Sequence, residues 1–166
     1  MTIFDIHDLK SGIPPRTRLL GLDVGSKTVG LALSDPTLTV ASPLQTLRRT
    51  KFTRDAQALR AIATEHEVGG LVIGLPVSMD GTEGPRCQSV RQFARNLLQV
   101  LDLPVAFWDE RLSTAAVERM LIDEVVMSRR RRGEVVDKAA AAYILQGALD
   151  AAAAQASSGG TPETRR

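Results

Sequence analysis

Cysteine is almost missing from this chain. Cys87 stands alone, so no disulfide can form within it, and a single thiol suits a reducing cytoplasm. With one Cys and only His7 and His66, the side chains of a zinc site are lacking too. Aromatic residues are scarce at 4%, which makes base stacking a poor candidate for any recognition of nucleic acid. No apolar run approaches the roughly 20 residues of a membrane span. The opening MTIFDIHDLKSGIPPRTR has no basic start followed by an apolar stretch, which argues against a secretory signal. An excess of charge of one sign is also lacking, with a net value of only +2.

The distribution of charge says more. Arg129, Arg130, Arg131 and Arg132 form one basic run, and Arg48, Arg49, Lys51 and Arg54 form a second cluster. Such patches suit a phosphate backbone, although an isolated arginine run is more often a solvated, flexible loop. The 166 residues, 43% hydrophobic and 24% charged, fit one α/β domain with a real core.

Residues 1–16 read as an irregular leader ending at Pro14-Pro15, residues 17–154 as the domain, and 155–166 (ending SSGGTPETRR) as a disordered tail. RLLGLDV (18–24) and VGLALS (29–34) are apolar runs of strand length linked by the Gly25-Ser26-Lys27 turn, and residues 42–49 supply a third strand. Thr53 is a good N-cap for a helix carrying Ala56, Leu59, Ile62 and Ala63 at helical spacing, which Gly69-Gly70 would end. LVIGL (71–75) is a wholly apolar strand of the kind buried on both faces. After a polar loop, Pro85 opens a helix to about Leu101. Residues 105–108 form a fifth strand. Ser113 or Thr114 caps a helix through Leu121, a basic loop follows, and a last helix runs from about Glu134 to Ala154. This order predicts a five-stranded mixed sheet, a three-strand antiparallel meander followed by βα units, with helices on both faces.

Three acids sit where acids are expensive. Asp23 interrupts RLLGLDV. Glu110 directly follows the apolar VAFW and Asp109. Asp137 lies three, four and seven residues before Ala140, Ala141 and Ile144, hence on the inward face of the last helix, in its expected first turn. The helix dipole offers an anion there only about 0.3–1 kcal/mol, less than desolvating a charge costs. Carboxylates converging at sheet ends would repel one another, and a bound Mg²⁺ or Mn²⁺ resolves that conflict because hard cations take oxygen ligands. Each acid also has an ordinary reading: Asp23 caps the turn at Gly25, Glu110 pairs with Arg111, Asp137 pairs with Lys138.

Four blocks follow in order: LGLDVGSKTVGLALSD, GLVIGLPVSMDGTEGPRCQSVRQFA, FWDERLSTAAVERML and VDKAAAAYIL. Together they resemble the YqgF/RuvX family of pre-16S ribosomal RNA nucleases and Holliday-junction-resolvase-like proteins, over about residues 18–150. The resemblance implies a ribonuclease-H-like fold. It also implies acidic site residues at Asp23, Glu110 and Asp137, for both catalysis and metal, and a two-metal type of hydrolysis. For substrate it implies the 5′ end of the 16S rRNA precursor, with branched DNA as the competitor. A second acid three residues after the helix-start Asp, usual in RuvC-type resolvases, is replaced by Ala140. Thr28 stands where the family often has Arg, and Ser78 where it often has Asn.

Other contacts to substrate are expected from Lys27 beside Asp23, from Arg111, from the four arginines preceding Asp137, and from Gly81 and Gly84 before a helix N-terminus. Glu83 in that loop counts against a dedicated phosphate cradle. Oligomeric state is open between monomer and homodimer. An actin-like ATPase or sugar kinase also begins with a D-x-G hairpin, but needs a second domain that 166 residues cannot supply. A non-catalytic RNA-binding assembly factor of the same fold is the remaining rival.

Overall fold

The computed structural model describes residues 3–112 and 129–158, excepting the side chains of 129–136 and 155–158. Among the described residues the strands form one six-stranded sheet. In chain order these are β1 (Ile3–Phe4), β2 (Arg18–Val24), β3 (Thr28–Ser34), β4 (Ala41–Arg48), β5 (Val68–Leu75) and β6 (Val105–Asp109). Across the sheet the order is β1-β6-β5-β2-β3-β4. The meander β2-β3-β4 is antiparallel, and β5, β6 and β1 add in parallel on the other side of β2. The helices are α1 (Ile6–Leu9), α2 (Phe52–Glu65), α3 (Pro85–Leu98) and α4 (Arg129–Ser158), with a 3₁₀ turn at Glu110–Leu112 after β6.

Strand periodicity sorts the side chains onto two faces. Leu20, Leu22, Val29, Leu31, Leu71, Ile73 and Val105 project to one face. There they form a core with Ala56, Leu59 and Ile62 of α2 and Val90, Phe93 and Leu97 of α3. Leu19, Ala32, Val72 and Ala106 project to the other face and pack on Ala141, Ile144, Leu145 and Ala148 of α4. Full burial of a side chain such as Ile144 or Leu145 contributes roughly 1.5–3 kcal/mol. The helix lies close to the sheet because Gly21 and Gly30 sit beneath it. A Cβ at Gly21 would stand 2.8 Å from Cβ of Leu145, and one at Gly30 would fall onto the carbonyl oxygen of Asp137.

Several expectations need correction. The sheet has six strands, because the stretch expected to be an irregular leader contributes β1, paired with β6, and then α1. Its apolar residues Leu9 and Ile13 are buried, which supplies the driving force. Thr53 is not the cap of α2. The helix begins two residues earlier, at Phe52 after Lys51, and the buried Asp55 accepts hydrogen bonds from the backbone N–H (3.0 Å) and hydroxyl (2.9 Å) of Thr50. Gly69-Gly70 does not end α2 but belongs to β5. The chain turns instead at His66 and Glu67, the latter in the left-handed region with φ 54°. Thr17 and Ile13 lie where Cβ atoms of Gly69 and Gly70 would go. Finally, α4 starts at Arg129, so the expected basic loop is helical from there. Arginine is a good helix former, and a single Gly133 costs only about 1 kcal/mol. Asp137 is consequently inside the helix rather than in its first turn. The helix expected over residues 113–121 lies outside the described residues.

Candidate active site

The site lies at the carboxyl ends of β2 and β6, beneath α4. Asp23 projects to the α4 face, opposite Gly30 in the β2–β3 register, so the absence of a side chain on Gly30 lets the turn of α4 that carries Asp137 descend beside it. Glu110 follows β6 directly, in the 3₁₀ turn. Strand β5 runs between β6 and β2, and its Gly74 leaves the gap that Glu110 crosses. A Cβ at Gly74 would stand 2.8 Å from Oε1 of Glu110 and 2.6 Å from Cδ1 of Ile144.

Through that gap Glu110 donates a hydrogen bond to Asp23. Burial, the charge of Asp23 and this bond push the Glu110 carboxyl up to about 7, and the nearby Arg86 guanidinium offsets part of the rise. The carboxyl of Asp23 is also held above its ordinary range, first by burial and then by the charge of Asp137. The hydrogen bond from Glu110 and the charge of Arg86 act against that rise. The third acid is anchored separately: the hydroxyl of Thr28 donates to Oδ2 of Asp137 at 2.8 Å. One acid near a strand end, one in the turn after a strand and one on a helix thus meet in one electrostatic cluster, and a shared proton relieves part of their repulsion.

The donor chemistry fits a hard divalent cation, since all three groups offer carboxylate oxygens and the proton held by Glu110 is one that such an ion would displace. Among the described residues no three His, Cys, Asp or Glu side chains are already closed into a metal-binding group. Asp23 and Glu110 share a hydrogen bond, and Asp137 accepts one from Thr28.

The remaining sequence candidates fall in different places. Lys27 is exposed in the β2–β3 turn next to Thr28. Arg111 does not pair with Glu110. Its guanidinium grips Asp109, with Nε 2.9 Å and Nη2 2.5 Å from Oδ2, while Nη1 donates to the carbonyl of Ser78 at 3.3 Å. It therefore clamps the loop after β5 to the end of β6. Gly81 serves that loop's turn: its φ is +89°, and its N–H donates to the carbonyl of Ser78 at 2.8 Å. Gly84 is the N-cap of α3, with open space where a side chain would stand. Glu83 is drawn back along α3 by Arg91, through bonds of 2.6 and 2.9 Å, and these hydrogen bonds, with the charge of Arg91, hold its carboxyl below the usual range. The backbone of Arg129, Arg130, Arg131 and Arg132 opens α4, and their side chains lie outside the described residues.

Two functional neighbours escaped the reading of the sequence. Arg86, the second residue of α3, supplies the positive charge that acts on both Asp23 and Glu110. Its only sequence signal was its place in the GPRCQSV block. Thr28 looked like a departure from the family pattern and is the hydrogen-bond partner of Asp137.

Comparison with known proteins places the chain in a family and a fold. The profile of the RuvX family, described as Holliday junction resolvase, matches residues 17–151. A relative from Phenylobacterium zucineum is 61% identical over 151 residues, covering 90% of this chain and 97% of its own length. One from Rhodospirillum centenum is 62% identical over 155 residues, covering 90% and 82%. Both carry the name "Putative pre-16S rRNA nuclease". Among solved structures, Thermus thermophilus RuvC in complex with a Holliday junction substrate superposes with a TM-score of 0.54 at 14% identity, over 81% of this chain and 94% of RuvC. The Fowlpox virus resolvase with its junction DNA gives 0.52 at 9% identity, over 81% and 98%. At such identities the likeness concerns the fold, the ribonuclease-H-like fold of these resolvases. The family match over most of the chain, together with relatives near 60% identity, settles its kinship: this chain belongs to the RuvX family.

Proposed function

We propose that this chain is a metal-dependent nuclease that hydrolyses phosphodiester bonds of RNA in processing the 5′ end of the 16S rRNA precursor, in the cytoplasm. One observation carries the reading: carboxyls from β2, from the turn after β6 and from α4 meet in one cluster, with Asp23 and Glu110 both held above their ordinary protonation range. Buried acids arranged against each other are costly unless a task requires them. The names of the close relatives supply the substrate, and among the described residues no helix is long and apolar enough to cross a membrane.

Asp23, Glu110 and Asp137 are the residues that would hold Mg²⁺ or Mn²⁺. Such an ion, when bound, polarises phosphoryl oxygens and lowers the pKa of water. The chain itself prepares the oxygens. Glu110 keeps a proton near neutrality and shares it with Asp23, so the empty cluster is not torn by repulsion, and it gives that proton up when a cation or a higher pH favours the carboxylate. Thr28 fixes the orientation of Asp137. Arg86 lowers the protonation range of both other acids toward working pH. Gly74 keeps the passage between Glu110 and Asp23 open.

Junction resolution is the second reading, favoured by the fold shared with RuvC. Ala140 weighs against it, because it leaves α4 without a second acid one turn after Asp137. The deciding experiment incubates purified protein with Mn²⁺ or Mg²⁺ and end-labelled 16S precursor, beside a four-way DNA junction. Cleavage of the RNA is expected, the junction staying intact, and cleavage should vanish in Asp23→Asn with folding preserved. Equal activity in wild type and variant would remove the enzyme and leave an RNA-binding factor.

A further inference from the structure

A second feature lies beside the acids and is not part of them. Ser26, Lys27, Thr28, Arg48 and Arg49 line an open groove of about 450 Å³ where the β2–β3 turn meets the end of β4. Its three cations are used differently. The guanidinium of Arg49 donates to the carbonyl of Gly25 at 2.6 Å and lies 5.2 Å from the centre of the Phe93 ring. The backbone N–H of Arg49 donates to the carbonyl of Lys27 at 2.8 Å. Arg49 is thus a brace that ties the turn to β4. Lys27 and Arg48 are exposed, and among the described residues neither has an ion-pair partner.

The register links this groove to the acids. Arg48 is the direct partner of Thr28 in the antiparallel β3–β4 pair, so both side chains leave the sheet on the same face, with Cβ atoms roughly 4.5–5.5 Å apart. Thr28 in turn donates to Asp137. Two unpaired cations therefore stand one residue away from a carboxylate of the site, on a track leading off the edge of the sheet. Among the described residues no aromatic side chain lines the groove, so bases find nothing there to stack on. With the Thr28 hydroxyl committed to Asp137, the Ser26 hydroxyl and the two cations are the groups left to hold phosphates.

We propose that Lys27 and Arg48 form a phosphate track, positioned by Arg49, that holds the backbone of the RNA strand flanking the scissile bond. The inference rests on the nuclease reading for the identity of the strand. Contact is to phosphate alone, so the track is indifferent to sequence and to the 2′-hydroxyl. It sets where along the strand the acids act, and it adds a salt-dependent share of affinity.

The test measures binding of full-length protein to a fluorescent 5′-leader RNA of the 16S precursor, in EDTA to suppress cleavage, across 50–200 mM salt (about a fourfold range). Removing each cation by Lys27→Gln or Arg48→Gln should lower the slope of log affinity against log salt by about one, and the double variant by about two. Arg60→Gln, which removes an exposed charge on α2, should leave the slope unchanged. DNA of the same sequence should show the same losses. A double variant with the wild-type slope, an equal loss in Arg60→Gln, or a loss confined to RNA would each overturn the proposal. Its failure is separable from that of the nuclease reading. Cleavage by wild type with an unaltered slope in the double variant would sink the track alone. Slope losses as expected, without cleavage in Mn²⁺, would sink the nuclease alone.

Discussion

Glu110 reaches past the bare backbone of Gly74 to donate a hydrogen bond to Asp23, two strands away. The proton in that bond belongs to the folded state, because the carboxyl is pushed up to about 7 there while an unfolded Glu titrates near 4.5. In that window the folded chain binds more protons than the unfolded one, so this group makes stability fall as pH rises from about 4.5 through 7. Asp23 shifts in the same direction. Thermal melts in EDTA between pH 5 and 8 should therefore show a decline that Glu110→Gln flattens. At pH 8 that variant, which keeps a donor toward Asp23 without the charge, should be more stable than wild type by about 1–2 kcal/mol once solvent screening is allowed for. A wild type whose melting point rises over this window relative to the variant would contradict the shared proton.

Metal should act in the opposite sense. A divalent cation competes with the proton for the same oxygens, so Mn²⁺ should raise the melting temperature more at pH 8 than at pH 6. The gain should be absent in Asp23→Asn. Calorimetric titration below pH 7 should register proton release on binding, visible as a dependence of the measured heat on buffer ionisation. A stabilisation by Mn²⁺ that is equal at both pH values, or equal in the variant, would place the ion elsewhere.

Two of the glycines beneath α4, Gly74 and Gly30, should fail differently. At Gly74 an added methyl meets the movable ends of Glu110 and Ile144, at 2.8 and 2.6 Å, and overpacking of this kind costs about 1–3 kcal/mol. Gly74→Ala should fold, lose most cleavage activity, and show the Glu110 titration displaced. At Gly30 the obstacle is the carbonyl of Asp137, which is backbone and cannot turn aside. Gly30→Ala should lift α4 from the sheet and destabilise the whole domain by several kcal/mol, read as a lower urea midpoint. Comparable stability in the two alanine variants would contradict the packing described.

How far the sequence disclosed all this varies with the range of the interaction. Apolar runs located β2, β3 and β6 to within a residue, since such runs are local, while β5 was found but its start was missed by three residues because Gly69-Gly70 read as a helix end. The pairing of β1 with β6 was not visible, because Ile3-Phe4 is too short to show a period and only the exposed edge of β6 makes it a strand. The start of α4 was misplaced because Arg129–Arg132 read equally as a charged loop and as good helix formers. Asp23, Glu110 and Asp137 stood out as acids in apolar surroundings, yet their meeting depends on Gly74 and Gly30, whose role is defined only by what lies opposite them. Arg86 and Thr28 could not be singled out, since an arginine at a helix start and a threonine in a strand are ordinary until their partners are known.

Arg86 offers the sharpest test of the cluster's electrostatics. Its charge lowers the protonation range of both Asp23 and Glu110, so replacing it with Gln should raise both. If cation binding needs the carboxylates, the acidic limb of the pH–rate profile in Mn²⁺ should move to higher pH, while the rate on the alkaline plateau falls less. Arg86 is exposed, so the substitution should leave the melting temperature within about 0.5 kcal/mol of wild type in stability terms. Arg86→Lys, which keeps the charge, should restore most of the profile. A plateau that collapses in both variants without any movement of the limb would mean that Arg86 holds the substrate directly, and that the acids are tuned by something else.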